Sequence, residues 1–304
     1  MIFMKQTDSA SVNDPSSDRY FRQLPLIGKE GQKKLSDAKV FIAGAGGLGS
    51  PVATYLAAAG VGQIILADMD TVSPSNLNRQ FLHRTADNGR LKALSGAEKL
   101  SALNPEIRVI PVTGKITQES VAEMTGDCRI IIDALDNTET RAVLAYHAYR
   151  NGLAYFHAGV SGFGGQISSI LPGNENPCLF CLYPEMADHL IADAPASGKK
   201  DDKESETGSE TGSETESETE IEKPAPFPIM GATAGIIGSL EALEVIKYIT
   251  GCGQVLCGKL LIWDGLSDTT DIIEYEKNDE CPVCSGDVRS VRRPSFNPIS
   301  VCLS

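Results

Sequence analysis

The sequence predicts an α/β fold of the Rossmann-like, doubly wound type, in which antiparallel strands finish a mostly parallel sheet. Three observations support this prediction. Apolar runs alternate with helical stretches between Lys39 and Gly159, which is the βαβ rhythm of a parallel sheet covered on both faces. The first apolar run leads directly into a glycine turn that ends at Gly49. Beyond Gly159, glycines flank a short apolar segment, as is typical of an antiparallel strand.

The elements of this sheet follow in chain order. Parallel strands are expected at 39–44, 63–68, 107–112, 128–133 and 153–159. The helices between them are expected at 48–60, 90–103, 117–125 and 138–151. An antiparallel strand, a helix with apolar residues at helical spacing and a final strand are then expected at 162–173, 235–250 and 259–265.

The 304 residues suffice for one large domain with a real core, which we expect over 18–286. Residues 1–17 and 287–304 are expected to be disordered tails, and 193–224 an exposed acidic insertion, since such compositions bury little apolar surface. Most of the net charge of −13 is local, because residues 201–222 alone carry ten acids and one base. The folded part is nearly balanced, so nucleic-acid binding is not indicated.

The glycine turn is the first candidate site. Gly44, Gly46 and Gly49 follow the first strand at the spacing G-x-G-x-x-G, a helix comes next, and Asp68 ends the second strand. In this context the glycines let backbone N–H groups approach a phosphate at a helix N-terminus, and the acid can accept hydrogen bonds from a ribose. The pattern predicts a nucleotide site rather than a purely structural turn. It leaves NAD, FAD and ATP open.

Cationic residues near the turn favour ATP. Arg79 lies past the carboxyl end of the second strand, where ligands bind in such sheets, and Lys92 stands near the start of the next helix. A hydride-transfer enzyme needs no cation there, whereas a transferring phosphoryl or nucleotidyl group does. Taken singly, each residue is equally consistent with a solvated loop.

The fourth strand ends in a carboxylate-bearing segment. Because Asp133 adjoins the apolar run and is expected to be partly buried, we take Asp136 as the Mg²⁺ ligand, across from the phosphate turn. The alternative reading of Asp136 is an N-cap for the helix that begins near Thr138.

Four of the eight cysteines form two C-x-x-C pairs. Two such pairs predict a closed tetrahedral zinc site that is structural, although one pair alone is compatible with redox chemistry. Because the pairs are far apart in sequence, the metal would pin the end of the chain to the sheet edge. The ligands would be Cys178, Cys181, Cys281 and Cys284.

The other cysteines and the lengths of the apolar runs bear on the cellular location of the protein. Cys128 opens a strand and is expected in the core, and a disulfide framework is not indicated. No apolar run approaches the roughly 18–20 residues of a membrane span, and the N-terminus lacks the apolar stretch of a signal peptide. We therefore expect a cytoplasmic protein without a membrane partner.

These residues together resemble the HesA/MoeB/ThiF family, relatives of the ubiquitin-activating enzymes, over roughly 18–286. The likeness rests on several separate motifs. They are the Arg19-Tyr20-Phe21-Arg22-Gln23 segment, the GxGGLG turn, the DxDxVxxSNLxRQ segment that starts at Asp68, Gly89-x-x-Lys92, Asp136-Asn137, both cysteine pairs and Gly238-Ser239-Leu240-Glu241.

The resemblance implies an adenylyltransferase that uses ATP and Mg²⁺. Its substrate would be the C-terminal glycine carboxylate of a small β-grasp sulfur carrier of the ThiS or MoaD type ending in Gly-Gly, for thiamine or molybdopterin cofactor biosynthesis or tRNA thiolation. It also implies a homodimer, in which Arg22 reaches the neighbouring subunit's site. Matched by position, the nucleotide contacts fall on Gly44, Gly46, Gly47, Gly49, Asp68, Asp70, Ser75, Asn76, Arg79, Lys92 and Asp136. The expected catalytic residues are Arg22, Arg79, Lys92 and Asp136.

One departure from the family pattern limits the chemistry. Many relatives carry a cysteine between the first cysteine pair and the Gly-Ser-Leu helix, but 182–237 contains none. We therefore expect adenylation without a thioester step. The acidic insertion occupies the stretch that forms the crossover loop in relatives. We expect the insertion to be a solvated spacer, and the alternative is that it influences the choice of carrier.

Three other functions remain open from the sequence. An enzyme of the same fold could adenylate a different carboxylate, such as one on a modified tRNA base, but no basic patch stands out. A nicotinamide or flavin oxidoreductase is supported by the glycine pattern alone. A binding module without activity is disfavoured by the intact set of polar site residues.

Overall fold

The computed structural model describes residues 19–190 and 228–285. The predicted tails 1–17 and 287–304 and the predicted acidic insertion 193–224 lie outside these residues. Within the described ranges, no helix combines the length and the apolar character that crossing a bilayer demands.

One eight-stranded sheet organises the described residues, in the order β3-β2-β1-β4-β5-β6-β7-β8. The first five strands run parallel, whereas β6, β7 and β8 are antiparallel to their neighbours. The predicted mostly parallel sheet with an antiparallel finish is thus confirmed. The strands are β1 (Lys39–Ala43), β2 (Gln63–Ala67), β3 (Arg108–Val112), β4 (Ile130–Asp133), β5 (Ala154–Ser161), β6 (Gly164–Ile170), β7 (Lys259–Asp264) and β8 (Thr269–Glu274).

Helices cover both faces of this sheet. They are α1 (Leu24–Asp37), α2 (Gly49–Ala59), α3 (Lys92–Leu103), α4 (Val121–Thr125), α5 (Thr138–Arg150), α6 (Leu179–Leu182) and α7 (Gly231–Thr250). Three elements escaped the sequence analysis, namely α1, α6 and β8. Helix α1 buries only Gly31 and Leu35 and is kinked at Gly28, whose φ is 68°.

Alternation along the buried strands feeds two cores. In β1, Val40 and Ile42 point to the face covered by α1, α2, α3 and α7, and Phe41 points to the face covered by α4, α5 and α6. Because both faces of the central strands are covered, their side chains read as unbroken apolar runs. The doubly wound arrangement follows directly.

The strand order reverses between β1 and β4, and this reversal positions the site. From β1 the chain proceeds outward through β2 and β3, and it then returns to place β4 on the other side of β1. Ligands bind at such a switch point, in the crevice outside the carboxyl ends of the strands. The glycine turn after β1 and the Asp133–Asn137 segment after β4 both open into this crevice.

The two ends of the described chain that flank 191–227 are each fastened to the fold. On one side, the Gln118 side-chain amide donates to the Leu190 carbonyl at 3.1 Å. On the other, Gly162 donates to the Pro228 carbonyl at 2.8 Å and accepts from the Met230 N–H at 3.0 Å. Both anchors depend only on residues of the domain itself.

Candidate nucleotide site and cysteine cluster

The glycine turn contains two kinds of glycine. Gly44 adopts a φ of 102°, and a Cβ there would lie 2.5 Å from the Ala134 carbonyl oxygen. A Cβ at Gly49 would lie 2.0 Å from the Gly44 oxygen, so the turn itself requires both of these glycines. At Gly46, in contrast, a Cβ would make only an ordinary 3.5 Å contact with Gln80. The protein packing leaves space over this part of the turn, as a phosphate cradle requires.

Asp68 holds the turn from the end of β2. One carboxylate oxygen accepts from the Ala45 N–H at 2.8 Å, and the other accepts from the Asp70 N–H at 2.9 Å. Burial raises the pKa of Asp68, while nearby Lys92 and these two hydrogen bonds act in the opposite direction. Each oxygen retains a further acceptor position for a ribose hydroxyl.

Lys92 lies beneath the crevice at the first position of α3. Its ammonium is 2.9 Å from an Asp70 carboxylate oxygen, and its backbone N–H donates to the Asp70 carbonyl at 2.8 Å. The Lys92 side chain is only 8% exposed, whereas that of Asp70 is 60% exposed. The pair thus fixes a buried cation below an open carboxylate.

The polar segment after β2 folds into a short 3₁₀ turn over Pro74–Asn76. The Asn76 side chain accepts from the Ser73 N–H at 3.2 Å, and the hydroxyls of Ser73 and Ser75 are 2.9 Å apart. Arg79 follows, and one of its terminal nitrogens donates to the Ser75 carbonyl and the Asn78 amide oxygen, both at 3.0 Å. Within 19–190 and 228–285 no carboxylate pairs with Arg79, so its other N–H groups can serve an anionic ligand.

The N-terminus of α7 closes the crevice on this side. A Cβ at Gly231 would lie 2.3 Å from the Asn78 carbonyl oxygen, and a Cβ at Gly47 would lie 3.4 Å from that of Ala234. The sequence analysis did not assign these contacts. The glycine at the start of the helix was the available signal, since it permits close backbone approach.

The end of β4 separates a structural acid from an exposed one. Asp133 is fully buried and pairs with the Arg141 Nε at 2.7 Å and the His157 Nδ1 at 2.9 Å. Burial alone raises the pKa of Asp133, but Arg141 and His157 outweigh it and lower that pKa to about 2. Asp136 is exposed, and the N-cap of α5 is Asn137, whose side chain accepts from the Thr140 N–H at 2.9 Å. The capping role considered for Asp136 therefore belongs to its neighbour.

Two further residues of the sequence motifs, Gln80 and Arg22, differ in their contacts. Gln80 is buried against Gly46, and its Oε1 has no hydrogen-bond partner among the described residues. Its place at the end of the DxDxVxxSNLxRQ segment was the available signal that Gln80 belongs to the site. Arg22 is exposed ahead of α1, and no described residue forms an ion pair with it. Within one subunit, the structure does not bring Arg22 together with the other predicted site residues by any hydrogen bond.

The two cysteine pairs meet as a compact cluster, defined by Cys178, Cys181, Cys281 and Cys284, whose sulfur atoms all lie within 4.8 Å of one another. The Cys178–Cys281 distance is 3.6 Å and the Cys181–Cys284 distance is 3.3 Å. Zinc bound tetrahedrally by thiolates at about 2.3 Å keeps its sulfurs about 3.8 Å apart, so the cluster fits this ion.

The electrostatics of the cluster suit a cation. The hydrogen bond with the Cys178 thiol lowers the pKa of Cys181 to about 5, while the same bond and burial raise the pKa of Cys178. The Asn278 N–H also donates to the Cys181 sulfur at 3.4 Å. Cys128, in comparison, is buried in the core as expected, and burial raises its pKa to about 12.

The chain is similar to several known proteins over most of its length. The chain is 34% identical over 284 residues to the SAMP-activating enzyme E1 of Haloferax volcanii, covering 92% of this chain and 94% of that protein. It is 35% identical over 273 residues to the sulfur carrier protein adenylyltransferase of Thermus thermophilus, covering 88% and 90%. It is 33% identical over 277 residues to the sulfur carrier protein ThiS adenylyltransferase of Escherichia coli, covering 90% and 98%.

The fold has counterparts among solved structures. The crystal structure of E. coli MccB with ATP superposes with a TM-score of 0.69 over 90% of this chain and 75% of that one. The identity is 24%, so this similarity concerns the fold alone. A model of the ThiF family matches residues 20–283, and the chain belongs to that family.

Proposed function

We propose that this protein is an ATP- and Mg²⁺-dependent adenylyltransferase that activates the C-terminal glycine carboxylate of a small β-grasp sulfur carrier. One observation carries the proposal: cationic and polar side chains converge on an open glycine turn at the β1/β4 switch point. The relatives named as adenylyltransferases of sulfur carriers add support, because this chain covers nearly their whole length. The sulfur would serve thiamine or molybdopterin cofactor synthesis or tRNA thiolation.

Different residues would bind the phosphates and the ribose of ATP. Gly46, Gly47 and the N-terminus of α2 would receive the phosphates, since backbone N–H groups and the helix dipole converge there. Asp68 would accept hydrogen bonds from the ribose. The remaining phosphate contacts would come from Ser75, Asn76, Arg79 and Lys92.

The chemistry needs no nucleophile from the protein. The carrier carboxylate attacks the α-phosphorus of ATP, a phosphorus–oxygen bond to the carboxylate forms, and the bond to pyrophosphate breaks. Arg79 and Lys92 would stabilise the negative charge that grows on the phosphoryl oxygens. Since a carboxylate is already ionised at neutral pH, positioning and electrostatics suffice without a general base.

Asp136 fits the role of Mg²⁺ ligand. It is exposed at the carboxyl end of β4, is not the helix cap, and has no ion-pair partner among the described residues. Bound Mg²⁺ would neutralise phosphate charge, and it favours one or two carboxylates together with phosphate oxygens.

We propose that adenylation proceeds without a thioester. The stretch 182–237 has no cysteine, and the sulfurs of Cys178, Cys181, Cys281 and Cys284 are committed to the cluster. That cluster would hold a structural zinc ion. Four reduced cysteines in one cluster also suit a reducing compartment such as the cytoplasm.

We further propose a homodimer in which Arg22 acts in the partner's site. Its exposure and its lack of an ion-pair partner among the described residues support this assignment. Mixing inactive Arg22→Ala and Arg79→Ala subunits tests it, because a mixed dimer would contain one intact site. Random exchange should restore about a quarter of the wild-type activity. No recovery after verified exchange would contradict the assignment.

The central experiment is ATP–pyrophosphate exchange with purified Gly-Gly-ending carriers. Wild type should catalyse exchange that depends on the carrier and on Mg²⁺, and Asp136→Ala should abolish it without changing thermal unfolding. Glu139→Ala is the matched control, since Glu139 is an exposed acid one turn away on α5. Exchange that stays absent with every carrier, or full activity in Asp136→Ala, would contradict the function or the metal assignment respectively.

A further inference from the structure

A chain of polar groups runs from α3 to the glycine turn. The Lys99 ammonium lies 2.9 Å from the Ser95 hydroxyl, which lies 2.9 Å from the His83 Nδ1. The His83 Nε2 lies 2.9 Å from the Ala45 carbonyl oxygen. Both His83 and Ser95 are buried. Neither of them, nor Lys99, has a role in the adenylation chemistry described above.

The donors and acceptors in this chain have one consistent direction. An ammonium can only donate, so Ser95 accepts from Lys99 and is free to give its own proton to the His83 Nδ1. A carbonyl oxygen can only accept, so the His83 Nε2 must carry a proton. The Ala45 carbonyl therefore requires a proton on Nε2, and the Ser95 hydroxyl can donate to a bare Nδ1, which together favour the neutral imidazole protonated on Nε2.

This form of His83 completes the fixation of two adjacent peptide groups in the turn, Gly44–Ala45 and Ala45–Gly46. Asp68 accepts from the Ala45 N–H at 2.8 Å, and His83 donates to the Ala45 carbonyl. Ala45 stands directly between Gly44 and Gly46, and the packing leaves space for a ligand at Gly46. Glycines on both sides give this segment rotational freedom that the two hydrogen bonds remove.

We propose that His83 is a positioning residue of the nucleotide site, which in its neutral Nε2-protonated form orients the Ala45–Gly46 peptide so that the glycine turn receives ATP. This inference rests on the proposed nucleotide binding. His83 does not touch the reacting atoms, and its contribution is to preorganise the turn before ATP binds. Loss of its Nε2 donor therefore weakens ATP binding more than it slows the chemical step.

The charges that face His83 favour the neutral form. Burial lowers the pKa of His83, and so do the cations Lys99 and Lys92, while the Ala45 carbonyl and Asp68 act in the opposite direction. Lys99 is itself held by Asp87 at 2.7 Å. A proton added to Nδ1 would turn the Ser95 hydroxyl proton away from the ring and add a positive charge beside Lys99 and Lys92.

Two substitutions separate positioning from packing. In His83→Gln the side-chain amide can place an N–H near the original Nε2 position, whereas in His83→Asn the shorter amide reaches only the Nδ1 position. Both replacements are neutral and polar. We expect the KM for ATP in pyrophosphate exchange, and the Kd for ATP by calorimetry, to rise about tenfold in His83→Asn and at most about threefold in His83→Gln. The kcat should change at most about threefold in both.

A measurement on the unmodified protein makes the outcome independent of variant folding. Long-range ¹H–¹⁵N spectra report the tautomer of each of the four histidines, and His83, assigned by its absence in His83→Gln, should be neutral with its proton on Nε2 at pH 7.5. An Nδ1-protonated or charged ring would overturn the inference. Equal ATP affinity in wild type and folded His83→Asn would also overturn it, whereas a wild type that binds no ATP would overturn the proposed function itself.

Discussion

The nucleotide crevice and the cysteine cluster use polar side chains in opposite ways. In the crevice, exposed groups such as Asp136 stand on a turn and strands that are already stabilised by backbone hydrogen bonds and apolar burial. In the cluster, Cys178 and Cys281 are buried with their sulfurs 3.6 Å apart, and their thiolate forms would need a cation to compensate their charge. We therefore expect the fold to be stable without the side chains of the crevice but to depend on those of the cluster. Substitutions should therefore reduce activity at the first and stability at the second.

The largest effect is expected at the cluster. Cys281→Ser removes a buried ligand and should abolish stoichiometric zinc and lower the free energy of unfolding by several kcal/mol, about 3–5, because metal binding to such a site is coupled to folding. Metal analysis and thermal unfolding measure the two changes. Cys252→Ser, outside the cluster, should change neither. Stoichiometric zinc and an unchanged melting temperature in Cys281→Ser would contradict the expected dependence of the fold on the cluster.

The next effect belongs to the crevice. Arg79→Ala should lower kcat for pyrophosphate exchange about 10²–10³-fold, because an electrostatic donor to the transition state is lost, while the melting temperature stays within about 2 °C. Arg84→Ala serves as control, since Arg84 is equally cationic and is exposed five residues later. A large fall in melting temperature for Arg79→Ala would show that the crevice also supports the fold.

The same contrast recurs within three residues at the end of β4. The pKa of Asp133 in the fold, about 2, lies below its ordinary value of 3.8. Its ion pair with Arg141 and its hydrogen bond with His157 therefore contribute about 2 kcal/mol of stability that is present above pH 4 and is lost as the pH falls from about 4 to 2. Acid unfolding curves should show this loss in wild type and in Asp136→Asn. A curve of the same acid dependence in folded Asp133→Asn would contradict the assignment.

The smallest effect concerns a buried acid on α7. Burial raises the pKa of Glu241 well above 4.5, and neither of its oxygens has a hydrogen-bond partner among the described residues. Because the folded pKa is raised, the free energy of unfolding falls as the pH rises from 4.5 towards that pKa. Glu241→Gln should remove this slope and raise stability at pH 7.5 by about 1 kcal/mol.

Its neighbour on the same helix provides the control. The Glu244 carboxylate accepts from the Ser169 hydroxyl at 2.9 Å and from the Leu256 N–H at 2.7 Å. Glu244→Gln should therefore destabilise the protein or leave it unchanged in denaturant unfolding. Equal stabilisation by both substitutions would mean that burial alone, and not the missing partners, governs Glu241.

Local sequence signals were sufficient for the central sheet and the cysteine cluster. Unbroken apolar runs followed by glycines, acids or helices mark β1 to β5, since each strand is covered on both faces. Strand β8 escaped because all six of its residues are exposed at the sheet edge, where no burial pattern forms. Helix α1 escaped because its buried contacts are few.

The site was predictable in its residue types but not in its division of labour. Asp136 and Asn137 are adjacent polar residues, and only the backbone geometry decides that Asn137 caps α5. Likewise, the role of His83 depends on a contact with Ala45, which is 38 residues away in sequence. Such long-range hydrogen bonds leave no periodicity in the sequence.

The anchors at Leu190 and Pro228 have a practical consequence for engineering and for evolution. Because each end is fastened by the domain itself, the contacts of Leu190 and Pro228 do not depend on the length of chain between them. This position is therefore a natural grafting point. A fluorescent or affinity module inserted there would label the enzyme in living cells without altering the strands of the sheet.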